Sequence, residues 1–285
     1  MVRSTGEKIA DGVIDALLIL VGLVCVGPLL YVLSVSLTPF SEVLKSGGFI
    51  LIPKQITFGA YQELFRQDYI PNSLWITVEL TVIGTLINMV LTVLLAYPLS
   101  RKYMPGRSFF LLYIIFTMLF NGGMIPTYLL VRQLNLLNTL WAMILPNACW
   151  TFNTLIMKSF FESLPEELFE SARIDGAGEY TVLFRIALPL SVPVLMTVML
   201  FYLVGHWNEF FQAVMYVNKK ELYPLQVVVR QILTQSSSSE NVDITIPTQT
   251  LQCAVVIFAS IPIIVVYPFI QKYFTKGMML GAIKG

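Results

Sequence analysis

Charge is what this sequence has least of. Its 285 residues carry 18 Lys+Arg and 17 Asp+Glu, 12% in all, where a soluble globular chain carries about 25%. The formal net charge of +1 leaves neither a basic field for nucleic acid nor an acidic tail. One histidine, His206, argues against a His-based metal site. The three cysteines, Cys25, Cys149 and Cys253, each sit inside an apolar stretch, so no disulfide framework or paired metal spacing is available. No Gly-x-x-x-x-Gly-Lys-Ser/Thr phosphate cradle, Gly-x-Ser-x-Gly elbow or His-Glu-x-x-His pair occurs. The chain is therefore expected not to be an enzyme in itself.

Apolar residues fill the gap. They make up 56% of the chain and aromatics 13%, which excludes disorder and points to a polytopic membrane protein. Crossing about 30 Å of hydrocarbon takes about 20 apolar residues in a helix. Six segments meet that demand: Val13–Leu37, Ser73–Leu99, Phe109–Val131, Thr139–Phe161, Pro189–Val217 and Thr250–Tyr273. The third is interrupted by Asn121-Gly122-Gly123 and Pro126. The first is too long for the apolar core of a signal peptide and reads as a retained helix. The expected fold is all-α: one transmembrane domain over 1–285, with a core at 73–273, a cytoplasmic loop at 162–188 and a tail at 274–285. With the N-terminus inside, eleven basic residues fall on inner segments and seven on the longer outer ones, so both termini are expected to be cytoplasmic.

The outer stretches Thr38–Asn72 and Asn218–Gln249 are long, and the Ser236–Ser239 run in the second reads as flexible. The inner connection Glu162–Leu188 differs. Eight charged residues, Glu162, Glu166, Glu167, Glu170, Arg173, Asp175, Glu179 and Arg185, gather there. Ser163, Pro165 and the two glutamates after it read as a helix start. Leu168, Phe169 and Ala172 give a short apolar face, and Gly176 and Gly178 a stop. A helix of this kind suits a groove in a partner protein. The other reading places it on lipid head groups, where its acids meet an anionic leaflet that repels them.

Glu170-Ser171-Ala172, three residues, Gly176, nine residues and then Ile186-Ala187-Leu188-Pro189 resemble the EAA signature of binding-protein-dependent ABC importer permeases. Ile174-Asp175-Gly176-Ala177 is similar to the carbohydrate-uptake branch, as are Gly205-His206-Trp207-Asn208-Glu209-Phe210, Leu222-Tyr223-Pro224-Leu225 and the end from Lys276 to Gly285. The likeness covers most of the chain after about residue 110 and includes the smaller maltose-permease subunit. Within the branch it is closest to permeases for complex oligosaccharides of the alginate or pectin-fragment type. Ser171 departs from the usual Ala but stays small.

The resemblance implies a permease subunit of the bacterial inner membrane that moves a sugar or oligosaccharide, including acidic, polysaccharide-derived ones, by alternating access. Its partners would be a second homologous permease, two ATPase subunits and an extracytoplasmic solute-binding protein. ATP and Mg would be bound by the ATPases and no cofactor by this chain. Leu168, Phe169, Glu170, Ser171, Ala172, Asp175, Gly176 and Ala177 would form the coupling helix that docks on an ATPase, with the tail reaching between the two ATPase subunits.

Polar groups inside a bilayer face a cavity or a partner. Glu79, Asn88, Asn121, Asn153, His206, Trp207, Asn208 and Glu209 are the candidate translocation residues, with interhelical bonding as the competing account. His206 and Glu209, three apart, are expected to share a helix face. A rival function, a proton-coupled secondary sugar transporter, would use Glu79, His206 and Glu209 as a relay. It predicts internal repeats, and none is found.

Overall fold

The structure is a computed structural model that describes residues 5–235 and 249–282, and among these helix is the only regular structure. The first helices are α1 (Thr5–Ser36), α2 (Phe40–Lys45), α3 (Gly59–Arg66), α4 (Tyr69–Ser100), α5 (Arg107–Leu119) and α6 (Met124–Gln133). Then come α7 (Trp141–Ile144), α8 (Thr151–Ser163), α9 (Glu166–Ile174), α10 (Glu179–Val182), α11 (Leu188–Leu190) and α12 (Val192–Trp207). The series ends with α13 (Phe211–Tyr216), α14 (Leu225–Gln235) and α15 (Gln249–Ala282). The Ser236–Ser239 run lies outside the described residues, as do the last three residues of the tail, which is otherwise helical through Ala282.

Two compact units emerge, Met1–Ile70 with Val229–Ile261, and Pro71–Val228 with Pro262–Gly285. In the first, the segment after α1 folds back on that helix. Tyr31 donates to the Gly48 carbonyl at 2.8 Å and accepts from Gln249 Nε2 at 3.0 Å, while the Thr57 amide reaches the Leu37 carbonyl at 2.8 Å. Phe65 packs edge-on to Phe258 at 5.3 Å. The apolar body of α1 is bare.

The second unit is built around α4. At the Ser100 end Ala96 and Tyr97 pack with Met157 and Phe161 of α8, Phe169 of α9 and Tyr202 of α12. At the Tyr69 end Leu80 packs with Met143, Ile144, Ala213 and Val217. Two glycines allow the helices to close. A Cβ on Gly84 would lie 2.6 Å from Nε2 of the buried His206, and one on Gly205 would collide with the Trp150 ring.

Three stretches, Asp11–Ser36, α4 and Gln249–Val266, are each long and apolar enough to cross a bilayer alone. Two bent pairs bring the number to five if each is one span: α5 with α6 (111°) and Glu179–Leu190 with α12 (83°). Six continuous spans are therefore not found among the described residues. The expected span at Thr139–Phe161 is divided, since Pro146 sits in a short 3-10 turn and Trp150 is extended (φ −89°, ψ 116°) before α8 begins. The third is broken at the expected interruption. Phe120 leaves the helix, Gly123 takes φ +92°, and the Asn121 Oδ1 accepts the Gly123 amide at 2.8 Å. The fifth ends at Trp207 rather than Val217.

Gly84→Val would drive a branched side chain into the His206 ring, and overpacking of this kind costs about 1–3 kcal/mol. A lower thermal midpoint of the purified subunit, partly restored by adding His206→Ala, is expected. An unchanged midpoint in Gly84→Val would remove the close approach.

Candidate functional site

Helix α9 is short, and its ends are set by backbone chemistry. Pro165 occupies the N-cap with extended geometry (φ −56°, ψ 126°), followed by Glu166 and Glu167 at the positive end of the helix dipole. Ser163, expected to help start this helix, instead closes α8: its hydroxyl donates to the Phe160 carbonyl at 2.7 Å. At the other end the Gly176 amide bonds the Arg173 carbonyl at 3.0 Å and the Ala177 amide the Ala172 carbonyl at 2.9 Å. That is a Schellman stop, and Gly176 at φ +81° holds the left-handed position it needs.

The helix has two unlike sides. Phe169 is wholly buried in the core at the Ser100 end of α4, with Ala172 and Ala177 packed against that core. Glu166, Glu167, Leu168, Glu170, Ser171, Ile174 and Asp175 are exposed, Ile174 at 85%. Beside that bare side runs a groove of about 430 Å³ between Leu168, Ser171, Ala172 and Asp175 on one wall and Arg185, Ile186, Pro189 and Leu190 on the other. Of the expected apolar face, therefore, Leu168 is presented outward and Phe169 is used internally.

Charge ties this end together. Arg173 Nε meets Glu179 Oε1 at 3.0 Å, and its guanidinium lies 4.6 Å over the Tyr103 ring and bonds the Tyr103 hydroxyl. Tyr103 and Tyr97 each donate to Glu179 at 2.9 Å. Partial burial raises the Glu179 carboxyl, but the hydrogen bonds from Tyr103, Tyr97 and Arg173 and the Arg173 charge outweigh it and hold the group below its ordinary value. Glu162 pairs with Arg107 and, at 2.8 Å, with Lys158, joining α5 to α8. Arg101, only 4% exposed, lies with its guanidinium 3.8 Å over the Phe169 ring and 4.8 Å from that of Tyr97, and Nη2 donates to the Phe161 carbonyl at 3.4 Å. Desolvated cation–π contacts of this geometry contribute about 2 kcal/mol.

The candidate translocation residues do not form one lining. Asn88, Asn153, His206 and Trp207 are buried within the chain, Glu79 and Glu209 are half-buried, and Asn121 and Asn208 are exposed. His206 and Glu209 do not act as a pair. Helix α12 ends between them, the imidazole lies against Gly84, and the Glu209 Oε1 accepts the Gln212 amide at 2.9 Å, capping α13. No hydrogen bond or ion pair joins Glu79, His206 and Glu209 among the described residues, so the relay of the rival function is not assembled. Asn208 is held by the Val204 carbonyl at 2.8 Å and by Gln226 at 3.3 Å.

Asn88 belongs to a polar seam of α4 whose other members are not among the expected residues. Ser73, Thr77, Thr81, Thr85, Asn88 and Thr92 recur about once per turn, and all are buried. Thr77 accepts the Leu225 amide at 2.7 Å, Asn88 Nδ2 reaches the Asn147 carbonyl at 3.4 Å, and Thr92 meets the Tyr202 hydroxyl at 2.7 Å. The one-per-turn spacing was the available signal.

Comparison with known proteins places this geometry among transporters. Residues 85–280 match the family described as binding-protein-dependent transport system inner membrane component. The polygalacturonan/rhamnogalacturonan transport system permease protein YtcP of Bacillus subtilis (strain 168) is 43% identical over 98% of this chain and 99% of its own length. Protein LplC of the same organism is 44% identical over 93% of this chain and 91% of its own. Among solved structures, a chain of a bacterial ABC transporter involved in the import of the acidic polysaccharide alginate superposes with a TM-score of 0.88 at 31% identity, covering 96% of this chain and 99% of that one.

Glu179 carries a pH prediction. Its folded carboxyl titrates below its unfolded value, so its tether stabilises fully above about pH 4.5 and is lost as pH falls through the folded value. The difference in thermal midpoint between wild type and Glu179→Gln at pH 6 should therefore narrow as pH falls below about 4.5. A gap that stays constant as pH falls below about 4.5 would refute the tether.

Proposed function

The chain belongs to the inner-membrane-component family of binding-protein-dependent transport systems, and from that premise we propose that it is one of two permease subunits of an ATP-driven importer of acidic oligosaccharides. The carrying observation is the two-sidedness of α9. A helix sealed to the transmembrane helices by Phe169 on one side and left bare on the other is built to receive a partner and pass its motion inward. In this reading the partner is an ATPase subunit, which binds nucleotide and Mg, and Leu168, Glu170, Ser171, Asp175 and Gly176 form the docking side. Closure of two such ATPases would draw α9 and tilt the helices attached to it, opening the pathway outward, and hydrolysis would reset it.

The substrate class rests on the relatives. One is named for polygalacturonan and rhamnogalacturonan, and the solved transporter imports alginate. All three polymers contain uronic acids. A solute-binding protein would deliver the sugar, and both termini would lie in the cytoplasm. The bare apolar body of α1 supports a second, homologous permease as neighbour, with lipid covering what that subunit does not. Exposed Asn121, Asn208 and half-buried Glu79 are the pathway residues we retain, and the buried Asn88, Asn153 and His206 serve packing.

Two measurements test this. Gly176→Val strains the left-handed stop, and Glu170→Lys inverts charge on the docking side. Each should cut ATPase co-purification or transport at least about tenfold, roughly 1.4 kcal/mol of coupling. Normal association and uptake in both variants would end the docking role. Separately, the reconstituted importer should have its ATPase stimulated by oligogalacturonides or alginate oligomers more than by neutral oligosaccharides of equal length. Equal stimulation would overturn the acidic substrate class.

A further inference from the structure

Beyond the docking side of α9, the structure assigns a positioning role to Arg101: its guanidinium, stacked on Phe169, is the joint through which motion of α9 reaches α4. The inference rests on the importer reading above. Arg101 directly follows the last residue of α4, so its charge sits at the negative end of that helix dipole. It is almost completely buried, and among the described residues no ion pair neutralises it. What compensates the buried charge is two ring faces and one carbonyl: Phe169 at 3.8 Å, Tyr97 at 4.8 Å and the Phe161 oxygen at 3.4 Å. Each partner comes from a different place: Phe169 from α9, Tyr97 from the last turn of α4, Phe161 from the last turn of α8.

The consequence is mechanical. The nearest ring belongs to α9. Withdrawing α9 from the end of α4 would strip the cation of that partner while leaving it buried, and a buried cation without compensation is strongly disfavoured. Separation of α9 from α4 is thus resisted specifically, whereas joint movement costs nothing at this contact. The Arg173–Glu179–Tyr103 tether closes the other side of the loop after α4, but it is more exposed and correspondingly weaker. A Lys at 101 would keep the charge without the flat face that stacks on an aromatic ring.

The test uses the assembled importer in proteoliposomes and reads sugar molecules transported per ATP hydrolysed. Arg101→Gln and Phe169→Leu should each assemble with the ATPases, hydrolyse ATP within about twofold of wild type, and lower that ratio about fivefold or more. Arg101→Lys should fall between. In the double variant the loss should match that of either single one, because both remove the same contact. An unchanged ratio in assembled complexes, with uptake and hydrolysis falling together or not at all, would reduce Arg101 to a packing residue and overturn the proposal. If Arg101→Gln does not assemble, Phe169→Leu decides alone, since it keeps an apolar side chain there. Failure of the wild-type chain to associate with any ATPase would instead sink the importer reading, which keeps the two outcomes apart.

Discussion

Hydrocarbon offers a polar side chain nothing to bond, and most of what this chain does inside its helical bundle answers that constraint. The seam of α4 is the clearest case. Six hydroxyl or amide side chains line one side of a predominantly apolar helix, and they are turned inward, where Tyr202 and the Leu225 and Asn147 backbones meet some of them. In lipid such bonds contribute about 0.6–2 kcal/mol each, enough that rotating α4 to expose the seam is disfavoured. Orientation of the helix about its axis is thereby decided by polarity, because apolar contacts alone discriminate poorly between protein and lipid.

The same constraint explains where charge goes. Arg107, Lys158 and Glu162 pair at one junction, Arg173 and Glu179 at another, and Arg101 is sheathed in aromatic rings. All three lie at the Ser100 end of α4, and each includes a contact between residues remote in sequence: Arg107 with Glu162, Tyr103 with Glu179, and Arg101 with Phe169. The few ions of this chain hold one end of the unit rigid, while the Tyr69 end is held by apolar packing of Leu80, Met143 and Ala213. A rigid end next to the bare side of α9 is the division that the proposed drive by an ATPase would need.

Much of this was legible in the sequence, and the limits are instructive. The membrane class followed from composition, and α1, α4 and α15 lie where long unbroken apolar runs put them. Helix α9 was legible because Pro165 and Gly176 punctuate it. The break before α8 was not, since Trp150 is as apolar in extended form as in a helix and hydropathy does not register backbone angles. The direction of Phe169 was also hidden. Spacing of three and four residues defines a face but not whether that face meets the chain's own core or a partner. His206 and Glu209 misled for a related reason: a three-residue spacing implies a shared face only while the helix continues, and α12 stops at Trp207. The pairing of Arg101 with Phe169 has no local pattern at all, because the two lie far apart in the chain.

Gly84 and Gly205 carry one more consequence. Each leaves a socket in a helix backbone, and each socket is filled by a ring from elsewhere, His206 in one and Trp150 in the other. Two rings seated in two sockets make a keyed joint. Helix α12 can swing together with α4 and the segment around Trp150, but it cannot spin past them unless both keys are first withdrawn. Any movement of α12 must therefore tilt it together with these neighbours, because its twist alone is locked out.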